Sequence, residues 1–131
     1  MTLFLKKPSN RRLTLYLPDK DRNGNPVYRH EDWLNEACLL LVGICGGATK
    51  NPPSTGYWHN KASGKIITET THTVASFVGE ADLASNVSAL LEFLARFATE
   101  TNQDSIAIEY DGAMHFLSEF DPQPLQQLQT A

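Results

Sequence analysis

Hydrophobic and polar residues alternate strictly along several short stretches of this chain, and a period of two is typical of half-buried strands. The clearest stretch is 12–17, where three leucines alternate with Thr14 and Tyr16 before Pro18 ends the run. Two more stretches, Ser105–Tyr110 and Ala113–Leu117, flank an Asp-Gly pair that favours a tight hairpin turn. These stretches predict a β-sheet with one face toward a core.

Two other segments repeat their apolar residues at the helical spacing of three and four. The first begins near Glu31, whose acidic side chain suits the positive end of a helix dipole, and it ends at Gly46 and Gly47. The second covers residues 82–99, with Asp82 as the expected N-terminal cap. We therefore predict two amphipathic helices.

The longest β-branched run of the chain, Lys65–Val78, predicts one long strand. An interrupted strand over Ala48–His59 precedes it, and the turn between them predicts a hairpin. The element order is then β-α-β-β-α-β with one extra edge strand. This order predicts an α+β fold, a ferredoxin-like split β-α-β sandwich whose two helices cover one face of an antiparallel sheet.

Length and composition indicate a single domain. The chain has 131 residues, of which 41% are hydrophobic and 20% charged, as in ordinary globular proteins. We expect a basic arm over 1–11, one domain over 12–118 and a mobile or briefly helical tail over 119–131. No run approaches the ~20 apolar residues of a membrane span, and the start is unlike a secretory signal. A cytoplasmic location without membrane contact is expected.

Most of the predicted domain shows a resemblance to a known family. The succession LTLYL, Trp33, GGAT, GYW, GKIITETTHTVASF and QDSIAIEYDGAMHF, within residues 12–117, resembles a family of small bacterial α+β domains of unknown function. The resemblance implies the fold and a bacterial source. It implies no activity, cofactor or site residue.

Charge is distributed unevenly, although the net charge is only −4. Residues 1–30 hold seven basic and two acidic side chains, whereas residues 80–131 hold one basic and nine acidic side chains. Such asymmetry suits two halves that neutralise each other in one fold, which we favour, or head-to-tail pairing of subunits. A basic arm on nucleic acid is the third reading. The acidic total argues against it, so nucleic acid is not expected as a partner.

Metal and cofactor motifs are almost absent from the sequence. Cys38 and Cys45 are too far apart along one helix for a disulfide and lack a close second cysteine for zinc, so no cofactor is expected. The loop that contains Asp19, Asp21 and Asn23 resembles the start of an EF-hand calcium loop, but it lacks the closing glutamate. We interpret it as an Asx/Gly turn and keep calcium as the alternative.

The remaining candidates form a polar set on the sheet face that points away from the helices. The period of two places Tyr16 and Glu109 there, and only one of Glu69 and His72 can join them without a bulge. A carboxylate and an imidazole can perform acid–base catalysis, and an aromatic wall can hold a flat ligand. The candidate catalytic residues are Glu69, His72 and His115, and the candidate ligand-binding residues are Tyr16, Trp58 and Glu109.

Two functions are compatible with this pattern. The first is a small binding or interaction module, homodimeric through its uncovered sheet face or edge, with an unknown small molecule or protein as partner. The alternative is a cofactor-independent small-molecule enzyme that uses the acid–base residues of the open face. No nucleophile or phosphate-binding motif favours hydrolysis of a nucleotide.

Overall fold

The computed structural model describes residues 10–118, in which seven strands and two helices follow one another. Neither helix of this part is long and apolar enough to cross a membrane. The elements are β1 (Asn10–Tyr16), α1 (His30–Cys45), β2 (Thr49–Lys50), β3 (Ser54–Asn60), β4 (Lys65–Thr71), β5 (Thr73–Gly79), α2 (Glu80–Glu100), β6 (Ser105–Tyr110) and β7 (Ala113–Ser118).

Five of these strands form one sheet in the order β2-β5-β1-β6-β7. Every neighbouring pair in it is antiparallel. Four of these strands, β2, β5, β1 and β6, have the ferredoxin-like order, with α1 following β1 and α2 following β5. The fifth strand, β7, is added at the edge beside β6. The predicted fold class is therefore confirmed, including the extra edge strand.

The core lies between this sheet and the two helices. In β1, Leu13 and Leu15 are fully buried, and Leu15 is paired with Val74 on one side and Ile108 on the other. Phe97 is the largest fully buried side chain of α2. Burying such a side chain contributes roughly 1.5–3 kcal/mol, so the strict alternation of β1 and β6 is what fixes the helix-facing side of the sheet.

Helix α1 agrees with its prediction at both ends. Glu31 and Asp32 lie in its first turn, and Gly46 ends it with a φ of 86°. The Gly46 N–H donates to the Val42 carbonyl at 2.9 Å. Glycine adopts this left-handed conformation without the steric cost of a side chain.

Helix α2 begins earlier than predicted, and Asp82 is not its cap. The helix starts at Glu80 directly after β5, so Gly79 is the cap residue, and no side chain bonds to the cap position. Gly79 has extended backbone angles that continue the strand. Because the strand runs into the helix without a loop, Asp82 falls inside the first turn, where its charge still suits the helix dipole.

The long strand predicted over Lys65–Val78 is divided at His72. β5 belongs to the five-stranded sheet, whereas β4 pairs only with β3 in a separate hairpin, which we call the β3–β4 hairpin. Opposite the break lie Pro52 and Pro53, which have no N–H to donate to a neighbouring strand. The predicted pairing of the two segments is present on both sides of the break, but the continuous strand was wrong.

Opposite charges from the two ends of the sequence meet in the fold. Arg11 Nε lies 3.2 Å from Asp111 Oδ1, and an Arg22 guanidinium nitrogen lies 3.0 Å from Asp104 Oδ1. These contacts agree with the reading in which the two halves neutralise each other. Most of the predicted basic arm and the whole predicted tail, residues 1–9 and 119–131, lie outside the described residues.

Candidate functional site

A cleft of about 780 Å³ separates the β3–β4 hairpin from the open face of the sheet, which is the face away from the helices. Its volume lies within the range of roughly 300–1,000 Å³ that is common for small-molecule sites. Four of the six candidate site residues line it, namely Tyr16, Trp58, Glu69 and His72. The structure therefore brings together residues from β1, β3, β4 and the link between β4 and β5.

Aromatic side chains line the sheet side of the cleft. Tyr16 is the last residue of β1, and it lies on the open face because Leu13 and Leu15 lie on the helix side. By the same alternation, Phe116 of β7 also lies on the open face. Burial raises the pKa of Tyr16, the nearby Glu109 carboxylate raises it further, and Arg12 acts in the opposite direction. The Tyr16 phenol is thus a neutral O–H group that can donate a hydrogen bond to a ligand.

The hairpin contributes its inner face to the cleft. Trp58 is paired with Ile67, and Gly56 is paired with Glu69 two positions along, so these side chains share one face. A Cβ on residue 56 would lie only 2.7 Å from Thr71 Oγ1 and 3.6 Å from Glu69 Cγ. Glycine at position 56 therefore leaves room for the Thr71 and Glu69 side chains beside it.

The loop between β1 and α1 forms another wall, and the charge of the whole cleft is mostly negative. This loop contributes Asp19, Lys20, Asp21 and Arg22. Arg22 is engaged by Asp104 and also donates to the Gln103 carbonyl at 3.1 Å. With Glu69 and Asp104 included, the lining carboxylates outnumber the lining cations, so the cleft favours a positively charged ligand group.

His72 is tied to one of these carboxylates. Its Nε2 lies 3.0 Å from Asp19 Oδ2, and the two side chains are 13% and 33% exposed. The ring of His30 packs edge-on against that of His72 with centroids 4.4 Å apart, while His30 Nε2 lies 2.7 Å from the Leu17 carbonyl oxygen. The sequence indicates His72 as a candidate but not Asp19 or His30 as its neighbours, because only the fold brings the three residues together.

His115 was wrongly placed on the open face. It is paired with Ile108, whose side chain is buried under the helices, so the alternation of β7 directs His115 to the helix side. Its Nε2 is buried and has no hydrogen-bond partner among the described residues. The buried Leu117, two positions along, carries the sequence signal that could have shown this parity.

Glu109 lies on the open face as predicted, but it is not among the side chains that line the cleft. It is paired with Thr14 and with Met114 toward the middle of the sheet. The Glu109 carboxylate affects the site by raising the pKa of Tyr16, although burial raises that pKa more.

The loop with the calcium alternative has the geometry of an Asx turn. Asp21 Oδ1 accepts hydrogen bonds from the backbone N–H groups of Asn23 at 2.8 Å and Asn25 at 2.9 Å. These bonds lower the pKa of Asp21, and the bond from Asn25 has the larger effect. Asp19 faces His72 instead. Within residues 10–118 no group of three or more His, Cys, Asp or Glu residues is arranged to hold a metal ion.

Both cysteines carry free thiols in the half-buried part of α1. Burial is the largest effect on each, and it raises the pKa of Cys38 and Cys45. Such thiols are poorly reactive because the nucleophilic form is the thiolate. Neither cysteine lines the cleft.

The geometry defines a ferredoxin-like domain with a hairpin placed across its open sheet face. No family model and no curated protein matches the chain. Among solved structures, the chain is similar to a phage SAM lyase in complex with S-methyl-5'-thioadenosine, with a TM-score of 0.57 and 16% identity over 89% of this chain and 96% of that chain. A phage SAM lyase in the apo state has a TM-score of 0.53 and 17% identity over the same shares. The likeness establishes a shared fold.

Proposed function

We propose that this protein binds an adenosine that carries a 5'-sulfur substituent, and that it cleaves S-adenosylmethionine as a lyase. The observation that carries this proposal is the cleft itself, in which aromatic side chains stand beside a surplus of carboxylates. The likeness in fold to a SAM lyase bound to S-methyl-5'-thioadenosine supports the choice of ligand. We therefore favour a cofactor-independent enzyme over a plain binding module.

The aromatic residues suit the adenine part of such a ligand. Tyr16 and Trp58 come from opposite sides of the cleft, one from the sheet and one from the hairpin. Stacking a nucleobase on an aromatic side chain contributes roughly 1–3 kcal/mol. We assign the adenine to the space between these two rings.

The carboxylates suit the charged part of S-adenosylmethionine. Its sulfonium and ammonium groups are cations, and Glu69 extends into the cleft next to Trp58 on the hairpin face. A carboxylate near a sulfonium stabilises the cation by Coulomb attraction, which is stronger where water is partly excluded. Lys20 at the loop wall is the available counter-charge for the methionine carboxylate.

The reaction needs neither water nor a redox partner. Cleavage of the bond between sulfur and the methionine γ-carbon leaves the electron pair on sulfur, which becomes the neutral thioether S-methyl-5'-thioadenosine. The γ-carbon is satisfied either by a double bond, after a base removes a β-proton, or by ring closure with the substrate's own carboxylate. Glu69 is our candidate for the base in the first route and for orienting the sulfonium in both.

Calorimetric titration with S-methyl-5'-thioadenosine, together with chromatography of S-adenosylmethionine incubated with the protein, tests this function. We expect saturable binding and formation of the thioether product. Glu69→Gln should lower turnover on the order of tenfold or more, because it removes the charge and keeps the shape. Glu92→Gln on the exposed face of α2 is the matched control and should leave turnover unchanged. Absence of both binding and turnover in the wild-type protein would contradict the proposal.

The interaction module remains a second candidate because apolar side chains stand exposed on the open face. Phe77 is 58% exposed and Met114 is 46% exposed. Two copies that join through this face would cover both side chains. Light scattering should then give the mass of a dimer, and Phe77→Glu should give a monomer. Leu39→Glu, at an exposed leucine on α1, is the control that should not change the mass. A wild-type monomer at high concentration would contradict dimerisation.

A further inference from the structure

The β3–β4 hairpin is attached to the domain only at its base. Most of its side chains are exposed in both strands. None of the other described helices and strands packs along it over more than a few residues. Segments with few buried apolar contacts open at low free energy, so the position of this hairpin depends on what holds its base.

The base is held from two sides. On the β3 side, the Asn51 N–H donates to the Thr73 carbonyl at 3.0 Å, and Asn51 Nδ2 donates to Thr73 Oγ1 at 2.9 Å. On the β4 side, the connection to β5 is the single residue His72. The His72 carbonyl accepts a hydrogen bond from the Leu17 N–H at 3.0 Å. His72 is therefore the hinge between the hairpin and the sheet.

The side chain of this hinge residue reaches the opposite wall of the cleft. It meets Asp19 of the loop between β1 and α1 at 3.0 Å. That loop is firmly anchored, since the Val27 N–H donates to the Asp19 carbonyl at 2.8 Å and Gln103 Nε2 donates to the Lys20 carbonyl at 3.0 Å. The bond thus joins a weakly attached hairpin to a fixed support.

Packing restricts the imidazole to this contact. The His30 ring stands edge-on against it at 4.4 Å, and His30 is itself bonded through Nε2 to the Leu17 carbonyl. With the His72 ring only 13% exposed, there is little room for another orientation. A ring that is held by packing and aimed at one acceptor is typical of a residue that positions others.

We propose that the His72–Asp19 pair is a latch that holds the β3–β4 hairpin over the open sheet face, so that Trp58 and Glu69 stay opposite Tyr16. Both members are positioning residues. The bond joins a carboxylate to an imidazole N–H, a charge-assisted type that is roughly twice as strong as a neutral one. The consequence for ligand affinity rests on the proposed function, whereas the effect on the hairpin does not.

Hydrogen exchange of the ligand-free, full-length protein tests the latch. His72→Ala should accelerate exchange of the hairpin amides on the order of tenfold, because a charge-assisted bond at the hinge is lost. Amides of β1 and β6 should keep their wild-type rates, which shows that the domain remains folded. Asp19→Ala should reproduce the effect, and the double variant should add little to either single variant because both remove the same bond.

Two further variants separate positioning from general destabilisation. His72→Gln keeps an N–H donor close to the position of Nε2 and should restore most of the protection. His59→Ala removes an exposed histidine of β3 and should have no effect. In a Trp33→Phe background, Trp58 is the single tryptophan, and its fluorescence should become more accessible to a soluble quencher in His72→Ala.

Wild-type exchange of the hairpin in His72→Ala would overturn the latch, and so would an equal acceleration in His59→Ala. Failure of the wild-type protein to bind S-methyl-5'-thioadenosine would instead contradict the proposed function alone, because every measurement of the latch uses protein without ligand. If binding is observed, the same His72→Ala variant should weaken it, with recovery in His72→Gln.

Discussion

The five-stranded sheet and the β3–β4 hairpin are built from similar strand-forming residues, yet they are stabilised differently. In the sheet, Leu13 and Leu15 are fully buried under the helices. In the hairpin, Ile66 is 63% exposed, and its neighbours are mostly exposed as well. The buried core therefore lies in the sheet and helices, whereas the hairpin supplies one wall of the cleft and little of the core.

This division matters for how a ligand would be held. Tyr16 stands on the rigid sheet and Trp58 on the weakly attached hairpin, so the two aromatic walls belong to regions of different stability. A ligand that contacts both would link them. A ligand that binds only the folded protein stabilises it by mass action. Here the added stability should be concentrated in the hairpin.

The largest expected difference between the two regions is in the free energy of unfolding. Phe97→Ala removes a fully buried ring from α2 that also packs against Trp33 at 5.3 Å. The loss of burial and the cavity should cost about 3–5 kcal/mol. Ile66→Ala in the hairpin should change the value by less than about 0.5 kcal/mol, as for other surface positions. Urea unfolding followed by circular dichroism measures both.

An effect of Ile66→Ala as large as that of Phe97→Ala would mean that the hairpin is part of the cooperative core. The division between the two regions would then be wrong.

The two tryptophans separate stability from binding. Trp58→Ala should weaken the binding of S-methyl-5'-thioadenosine about 5- to 150-fold, the equivalent of a lost stacking contact, with little change in unfolding free energy. Trp33 packs between Phe93, Phe97 and the guanidinium of Arg96 on the helix side. Trp33→Ala should therefore lower stability by about 2 kcal/mol and leave affinity unchanged. Calorimetry gives the affinity and urea unfolding gives the unfolding free energy of each variant. Wild-type affinity in Trp58→Ala would contradict the placement of the adenine against Trp58.

Gly56 offers a smaller change that is confined to the hairpin. In Gly56→Ala the new methyl group would meet Thr71 Oγ1 at 2.7 Å, so the Thr71 side chain must turn or the strands must separate. We expect a cost of about 1 kcal/mol in affinity and no measurable change in the stability of the core. Adding Thr71→Ala should recover the affinity, with Thr71→Ala alone as control. No recovery in the double variant would mean that the contact is not the cause.

The smallest effect is a dependence on alkaline pH. The folded protein raises the pKa of Tyr16, chiefly by burial, so it holds the phenol proton more tightly than the unfolded chain does. The resulting stability is fully present below the unfolded tyrosine pKa of about 10 and is lost as the pH rises above it. Tyr16→Phe should reduce this alkaline loss in urea unfolding. In Tyr16→Phe, the absorbance of ionised tyrosines in the folded protein should lack the contribution of Tyr16. If Tyr16→Phe loses as much stability at alkaline pH as the wild-type protein, the burial of Tyr16 is not the cause of the loss.

The sequence predicted the fold because the sheet obeys a simple rule. Leucines at every second position of β1 and the helical spacing in α2 each select one buried face, and local turn signals such as Gly46 agree with them. The site was predicted in part. Tyr16 follows from the same alternation, whereas Trp58 and Glu69 reach the cleft only through the hairpin.

The errors arose where alternation alone was not enough. Threonines occupy four of the six positions in 68–73, on both sides of His72, so composition does not mark the break at His72. The break depends on pairing with Leu17, which is far away in sequence. His115 was assigned without comparing its parity with that of Leu117. Asp19 was considered as a metal ligand because its loop resembles the start of an EF-hand. Its partner in the structure, His72, is 53 residues away and is brought close only by the fold, so the sequence does not indicate the pair.

We propose that the hairpin and the open sheet face together form a binding site for an adenosine with a 5'-sulfur substituent. Hydrogen exchange measured with and without S-methyl-5'-thioadenosine tests this proposal, because it reports which segments the ligand protects. We predict slower exchange in the hairpin, residues 54–71, and in the loop at residues 19–24, with no change at the outer face of α1. Binding without protection of the hairpin, or protection confined to another surface, would mean that the site lies elsewhere.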